Sequence, residues 1–397
     1  MSLYILVFFG SALLGVLLFE GKPIRWAKPV YFTCVSLAII IPSALRHIEV
    51  GIDYHTYYDA FRLIGNEGLA GTMTARLGFS GSYGFRALCW LLSRFGTGQI
   101  YYAAAISTLF MVLLCRAVWR QCANPWVGMF VLLGLGFWGY SLCFTRQALA
   151  AAILLQALPF LRRRRLVPFL ALVLLAASFH FSALLMVPLC LLGWLPCSWK
   201  SLAVYGGLTG LFLIFSWPIL NFATQYVFSG YADSRYLLGR SFSSAVLPIL
   251  GGALVFLFRK KLLDRDPSLL PLLNMAVFAG LLYVIGLKHF LFQRSAFCLL
   301  ISFVVLLPQL VECFDSGWDP ASGEADRPEE APAGEKRTWR SWTESPLFNR
   351  WTVLALVLAL CVAHGSYRLF ANPLHLTPYH TYNAASVYPK PTSQKVS

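Results

Sequence analysis

Charge is scarce in this chain, and acid is scarcer still. Asp and Glu number 17 against 32 Lys and Arg, and charged residues make up only 12% of the 397. A soluble domain carries about 25%, so a soluble globular fold is excluded. The ten cysteines include no CxxC pair. Most lie inside apolar runs, where a free thiol acts as a small hydrophobe, so neither a zinc site nor a disulfide framework is indicated. There is no internal repeat. No alternating ten-residue pattern supports a barrel. The opening MSLYILVFFGSALLG has no basic n-region and reads as a first membrane helix that is kept.

What the chain has in abundance is apolar sequence, 58% of it, in runs along nearly the whole length. These predict an all-α, polytopic integral membrane protein with about twelve transmembrane helices plus short helices on the outer face. The predicted spans are 3–19, 30–45, 99–115, 126–141, 143–161, 166–178, 182–195, 201–219, 244–258, 268–287, 295–311 and 351–367. The net charge of +15 invites a nucleic-acid partner, but the basic residues sit in short clusters between apolar runs. That is how orientation signals are placed, so no nucleic acid is expected.

Most of these clusters fall on one side: Lys22, Arg25 and Lys28; Arg116 and Arg120; Arg162 to Arg165; Lys200; Arg259, Lys260, Lys261 and Arg265; and Arg327 to Arg350. That side is expected to be cytoplasmic in a bacterial inner membrane, with both termini facing the periplasm or exterior. Three parts follow. Residues 1–311 form a membrane core with outer loops near 46–98 and 220–243, the latter holding Asp233, Arg235 and Tyr236. Residues 312–350, with PASGEADRPEEAPAGEKR, have the composition of a cytoplasmic flexible linker. Residues 351–397 supply a last helix and an outer tail. In the first outer loop a short helix is predicted near 84–95, and Tyr54, Tyr57, Tyr58 and Phe61 fall on one helical face. Such a face suits a headgroup anchor or a sugar-stacking surface.

The stretch CFTRQALAAAILLQALPFLRRRR, residues 143–165, raises the functional question. Arg162 to Arg165 are a membrane stop. Arg146, followed by Gln147, lies roughly 24 Å away across the membrane at about 1.5 Å per helical residue. Other polar residues reach the same depth: Arg46 after the second helix, Asp53, His180 in SFHFSAL, and His289, Gln293 and Arg294 in KHFLFQRSAF. Singly, each has an ordinary explanation. A terminal arginine snorkels, His180 satisfies a turn, and Asp53 N-caps the helix that follows. Together, arginines and glutamines leading apolar helices are costly to insert, and they argue for a pocket open to the outer face.

Several guanidiniums with few carboxylates favour an anion, and arginine matches phosphate oxygens bidentately. A polyprenyl diphosphate carrying a glycan has the geometry: tail in lipid, diphosphate at the interface, sugar in water. Arg46, Arg146 and Arg294 would stabilise the charge that develops on the diphosphate as the glycosyl bond breaks. Asp53 or His180 would be the general base. No metal and no cofactor is required if the arginines carry the charge. Asp264-Arg265-Asp266 forms a DxD pattern, but it sits in a short basic loop with no soluble domain to hold a nucleotide.

RHIEVGIDYHTYY, then FTRQALAAAILLQALPFLRRRRLVPFLALVLLAASFHFSALLMVPL, then FQRSAF resemble the EpsG-type branch of the Wzy-like O-antigen and exopolysaccharide polymerases, over roughly residues 30–305. The resemblance implies a membrane glycosyltransferase that polymerises lipid-linked oligosaccharide repeats on the outer face of the inner membrane; with the arginines carrying the charge, it is expected to be metal-independent. It carries over to Arg46, Gly51, Asp53, Tyr54, Arg146, Gln147, His180 and Arg294, with Gln293 completing the late QR pair. It also implies membrane lipid and a possible chain-length regulator as partners. One departure is SGSYGFRAL, where the family often has an acid and this chain has none. A glycan ligase of similar architecture would share the donor half of the site. A lipid-linked glycan flippase would need a central basic cavity reachable from both sides.

Overall fold

The computed structural model describes residues 2–21, 24–74, 81–226, 244–315, 348–371 and 374–381. Among them the regular structure is helical. Two long apolar helices, α1 (Ser2–Phe19) and α2 (Ala27–Leu45), open the chain. A polar segment follows with three short helices, α3 (Tyr54–Asn66), α4 (Leu69–Thr74) and α5 (Tyr83–Ser93). The central bundle comprises α6 (Gln99–Gln121), α7 (Pro125–Gly134), α8 (Phe137–Cys143), α9 (Thr145–Arg162) and α10 (Leu166–Phe179). Then come a 3₁₀ turn over Phe181–Met186, α11 (Leu189–Leu192), α12 (Trp199–Ile214) and α13 (Ser216–Tyr226). The last group is α14 (Val246–Leu257), α15 (Arg259–Arg265), α16 (Leu270–Gly286), α17 (Phe290–Ala296), a 3₁₀ turn over Phe297–Leu300, α18 (Ile301–Glu312) and α19 (Arg350–Ala371).

Among the described residues, six helices are long and apolar enough to cross a membrane, or up to eight if each bent pair is one span. The expected count of about twelve is not confirmed: the runs at 166–178, 182–195 and 244–258 form helical stretches shorter than a span, and two further runs are bent. The run at 126–141 breaks by 51° between α7 and α8. Gly136 makes that break at φ +82°, a conformation that other residues adopt only under strain. The run at 201–219 bends by 71° between α12 and α13. The run at 182–195 is not one helix but a 3₁₀ turn and the single turn of α11.

α9 is the hub. Its ALAAAILL segment is buried, and it packs against α6, α8, α10, α16 and α18. Small side chains let neighbouring backbones approach closely where no hydrophobic force acts between helices in lipid. The long chain segment at 46–98 is likewise built into the bundle. Tyr54, Tyr57, Tyr58 and Phe61 are 0%, 5%, 9% and 0% exposed, packed on Tyr102 and Phe85. The aromatic face of α3 is therefore a core contact rather than a headgroup anchor or a sugar platform. A single amphipathic face shows that it is covered, but not by what.

One end of the bundle carries ion pairs: Arg350 binds Glu20 at 2.6 Å and Glu312 at 3.3 Å, and Arg162 binds Asp266 at 2.6 Å. Asp266, from the DxD pattern, also accepts from the Ser268 N–H, so it caps a 3₁₀ turn. The expected polar loop at 220–243 falls outside the described residues from 227 onward, as does 316–347 of the expected linker. The end opposite the ion pairs gathers the residues discussed next.

Candidate functional site

α9 begins at Thr145, so Arg146 and Gln147 occupy its first turn. Arg146 donates from Nη1 to the Ser82 hydroxyl at 2.7 Å and from Nε to the Tyr57 hydroxyl at 3.5 Å. Its guanidinium is thus held by α3 and by the residue that leads into α5. Gln147 donates from Nε2 to the main-chain carbonyl of Arg294. This contact brings the first turn of α9 to the last turn of α17. Arg294 lies with its guanidinium carbon 4.7 Å from the centre of the Phe144 ring. Its neighbour Gln293 is 2% exposed and accepts from the Ser244 hydroxyl.

His180 ends α10 by turning extended, at φ −152° and ψ 124°. Its Nδ1 accepts from the Ser182 N–H at 3.3 Å and lies 2.8 Å from the Ser182 hydroxyl. With Nδ1 used as an acceptor, hydrogen bonding assigns the neutral ring's proton to Nε2. Burial first, then the guanidiniums of Arg146 and Arg294, push His180 down to about 3. The folded value lies below the ordinary ~6.5, so as pH falls the unfolded chain takes up the proton first. Acidification below about 6.5 should therefore weaken the folded site before it charges the ring. The same Ser182 ties this turn to the one after α17, because its carbonyl accepts from the Cys298 thiol at 3.4 Å.

Asp53 stands at the N-cap position of α3, yet its side chain makes no capping hydrogen bond. Its half-buried carboxylate and the Arg294 guanidinium both bear electrostatically on the Tyr57 hydroxyl, which contacts Arg146. Gly51, two residues earlier, has φ +106°, and a Cβ there would lie 2.7 Å from the Leu142 carbonyl oxygen. Only glycine fits that approach of the Asp53 loop to α8.

Arg46 has different surroundings. It is 3% exposed, its Nη1 donates to the Ser43 carbonyl at 2.6 Å, and its guanidinium carbon lies 3.7 Å from the centre of the Tyr54 ring. Its Nε has no hydrogen-bond partner among the described residues. Arg46 and Tyr54 thus form a buried cation–π pair beneath the Asp53 loop. The structure brings together Arg146, Gln147, His180, Arg294, Gln293 and the Asp53 loop, while Arg46 sits in the support beneath.

Three residues in the cluster were not singled out for it from the sequence. The sequence marks Tyr57 only as part of an aromatic face. Ser82, the positive-φ residue before α5, gives no chemical signal in SGSYG. Ser182 had one: a serine two residues after His180, the spacing at which it can satisfy Nδ1.

The fold and this end of it define a class: a multi-pass, all-helical membrane protein with cationic residues gathered from several helices at one end. Residues 30–319 match the family model described as the EpsG family, and the chain belongs to that family. The family points to polysaccharide polymerases with glycosyltransferase-like chemistry in exopolysaccharide biosynthesis. No curated protein and no solved structure matches the chain detectably.

Proposed function

We propose that this protein transfers glycan from a polyprenyl-diphosphate donor to a lipid-linked repeat acceptor, at the outer face of a bacterial inner membrane. One observation carries the reading most. Arg146 and Arg294, from separate helices, both act electrostatically on His180, and the Gln147 bond to the Arg294 carbonyl ties their two helices together. Two fixed guanidiniums and a neutral N–H donor make a site for the anion that leaves. The basic clusters at the opposite end support the outward assignment of this one.

Asp53 is the base in this scheme. Its carboxylate takes the proton of the acceptor hydroxyl, whose oxygen attacks the anomeric carbon. The bond from that carbon to the diphosphate oxygen breaks, and its electron pair stays on the diphosphate. Arg146, Arg294 and the Nε2–H of His180 stabilise that charge. His180 is unsuited to be the base, because Nδ1 is already an acceptor and Nε2 carries the proton. A bound diphosphate offsets the guanidinium part of its shift and leaves the larger part, burial. Arg46 serves here by holding the Asp53 loop rather than by touching phosphate.

The deciding experiment is the lipid-linked glycan profile of a strain lacking the gene, complemented with wild type or Asp53→Asn. Repeats stalled at one unit in the deletion support polymerisation. Long polymer left on the lipid would instead make the protein a ligase, and loss of all surface-exposed repeats would make it a flippase. Asp53→Asn should stay in the membrane and leave single repeats, with a rate loss of about 10²-fold or more for a missing general base. Full-length polymer from that variant would remove Asp53 from the scheme.

His180 is tested by the pair His180→Ala and His180→Asn. The first removes the donor, and its expected loss is about 10²-fold, the scale of one missing oxyanion donor. The second retains an amide N–H and should recover part of the rate. Equal rates for the two variants would argue against hydrogen-bond donation.

A further inference from the structure

Beside the cationic cluster lies a cavity of about 300 Å³ between α11, α12 and α16, with a wall that contains no charged residue. Its near end is formed by Leu185 and Leu299. Leu185 belongs to the 3₁₀ turn that follows His180, and Leu299 to the one that follows α17, which carries Arg294. The Cys298–Ser182 bond clamps those two turns together, so the cavity is lined by turns that directly follow His180 and the helix of Arg294. From there the wall continues along Leu282 of α16 and Leu208 and Tyr205 of α12. Leu208 is 59% exposed, which leaves the cavity open along one side.

Three other apolar cavities differ in what adjoins them. The one between α1 and α2 measures about 430 Å³, and that between α12, α14 and α16 about 250 Å³. Neither is lined by a residue of the cluster or of its two turns. A third is lined by Arg368 but measures about 70 Å³, and Leu374 and Leu376 form part of its wall. A ligand with an anionic head and a long hydrocarbon tail needs an open apolar channel close to cations. The cavity at Leu185 and Leu299 is such a channel, lined by the turns that follow His180 and the Arg294 helix.

We propose that this cavity holds the first isoprene units of the donor's polyprenyl chain, so that α11, α12 and α16 select a polyisoprenoid carrier while Arg146 and Arg294 hold its diphosphate. This rests on the functional reading above for the identity of the head group. The tail moves into the cavity from lipid and not from water, so the selection rests on how the methyl-branched chain fits against side chains such as Leu185, Leu208 and Leu299.

The test uses the full chain in lipid nanodiscs and a polyprenyl diphosphate with a photoreactive diazirine on its second isoprene unit. Labelling is expected on peptides spanning 181–192, 199–214 or 270–299 and should be competed by unlabelled polyprenyl diphosphate. Leu208→Trp, at a half-exposed position that tolerates bulk, should lower the labelling about tenfold, the effect of losing ~1.4 kcal/mol. Leu185→Trp should do the same from the other wall. Leu37→Trp, in the α1–α2 cavity, should leave it unchanged. Labelling that persists in both Leu208→Trp and Leu185→Trp, or that falls on α1 and α2, overturns the proposal. So does competition by phosphatidylglycerol as strong as that by polyprenyl diphosphate, which would make the cavity an ordinary lipid contact. If the cavity labels as expected but the same nanodiscs build no polymer from lipid-linked repeats, the carrier site stands and the polymerase reading falls.

Discussion

Arg146→Ala is expected to leave the protein in the membrane and to lower polymerisation by about 10²- to 10³-fold, the loss found when one preorganised oxyanion donor is removed. The reason is geometric. Arg146 is held from two sides, by the Ser82 hydroxyl at 2.7 Å and by the Tyr57 hydroxyl at 3.5 Å, so its guanidinium is oriented before any glycan donor arrives. Arg146→Lys should fail nearly as badly, because one ammonium cannot contact Ser82, Tyr57 and two phosphate oxygens together. Arg294→Ala should match Arg146→Ala in size. The double variant should cost little more than either single one if both guanidiniums serve the same developing charge. Arg163→Ala is the control, since its neighbours keep the basic cluster intact, and chain length should stay normal. The measurements are membrane content by immunoblot and glycan length by gel. Normal long chains from Arg146→Ala would remove the guanidinium pair from the chemistry.

The parts legible in the sequence are those where polarity stands out against an apolar background. Arg146-Gln147 and Gln293-Arg294 each lead an apolar stretch, and their placement at one end follows from counting residues back to Arg162 to Arg165. What the sequence hides is of three kinds. Bends are invisible to hydropathy, so α7 with α8 and α12 with α13 read as straight spans. The partner of an amphipathic face is also unspecified, so Tyr57 looked like an interfacial ring although it is 5% exposed beneath Arg146. Contacts through the main chain leave no residue-type signature at all. Nothing in the sequence tells that Arg46 turns inward onto Tyr54 while Arg146 faces Ser82; both are arginines near helix ends.

Ending the chain after Ala371 is expected to lower the polymerisation rate more than tenfold while leaving donor affinity nearly unchanged. Residues 374–381 lie outside the family match, yet they are laced to the loop that carries Asp53. The His47 N–H donates to the His380 carbonyl at 2.7 Å, and the N–H groups of Gly51 and Ile52 donate to the carbonyls of His375 and Leu374, each at 3.2 Å. Arg46 pairs with Thr381 in an antiparallel bridge, and the Tyr379 hydroxyl donates to the Pro42 carbonyl at 2.6 Å. From the other side, the Cys143 thiol donates to the Leu374 carbonyl at 3.3 Å. Each such bond is worth about 1 kcal/mol net, and more where its loss strands a buried partner. Losing all of them frees the loop between Arg46 and Asp53 at both edges. The positive φ of Gly51 then lacks the bonds that hold it, and the Asp53 carboxylate has more positions open to it. Arg146, Arg294 and His180 are held by contacts that do not pass through the tail, so the donor should still bind. A steady-state comparison separates these effects: kcat should fall with the donor KM unchanged, and Gly51→Ala should reproduce the pattern in the full-length chain. A truncated protein whose donor KM rises while kcat holds would place the tail at the donor rather than beneath the base.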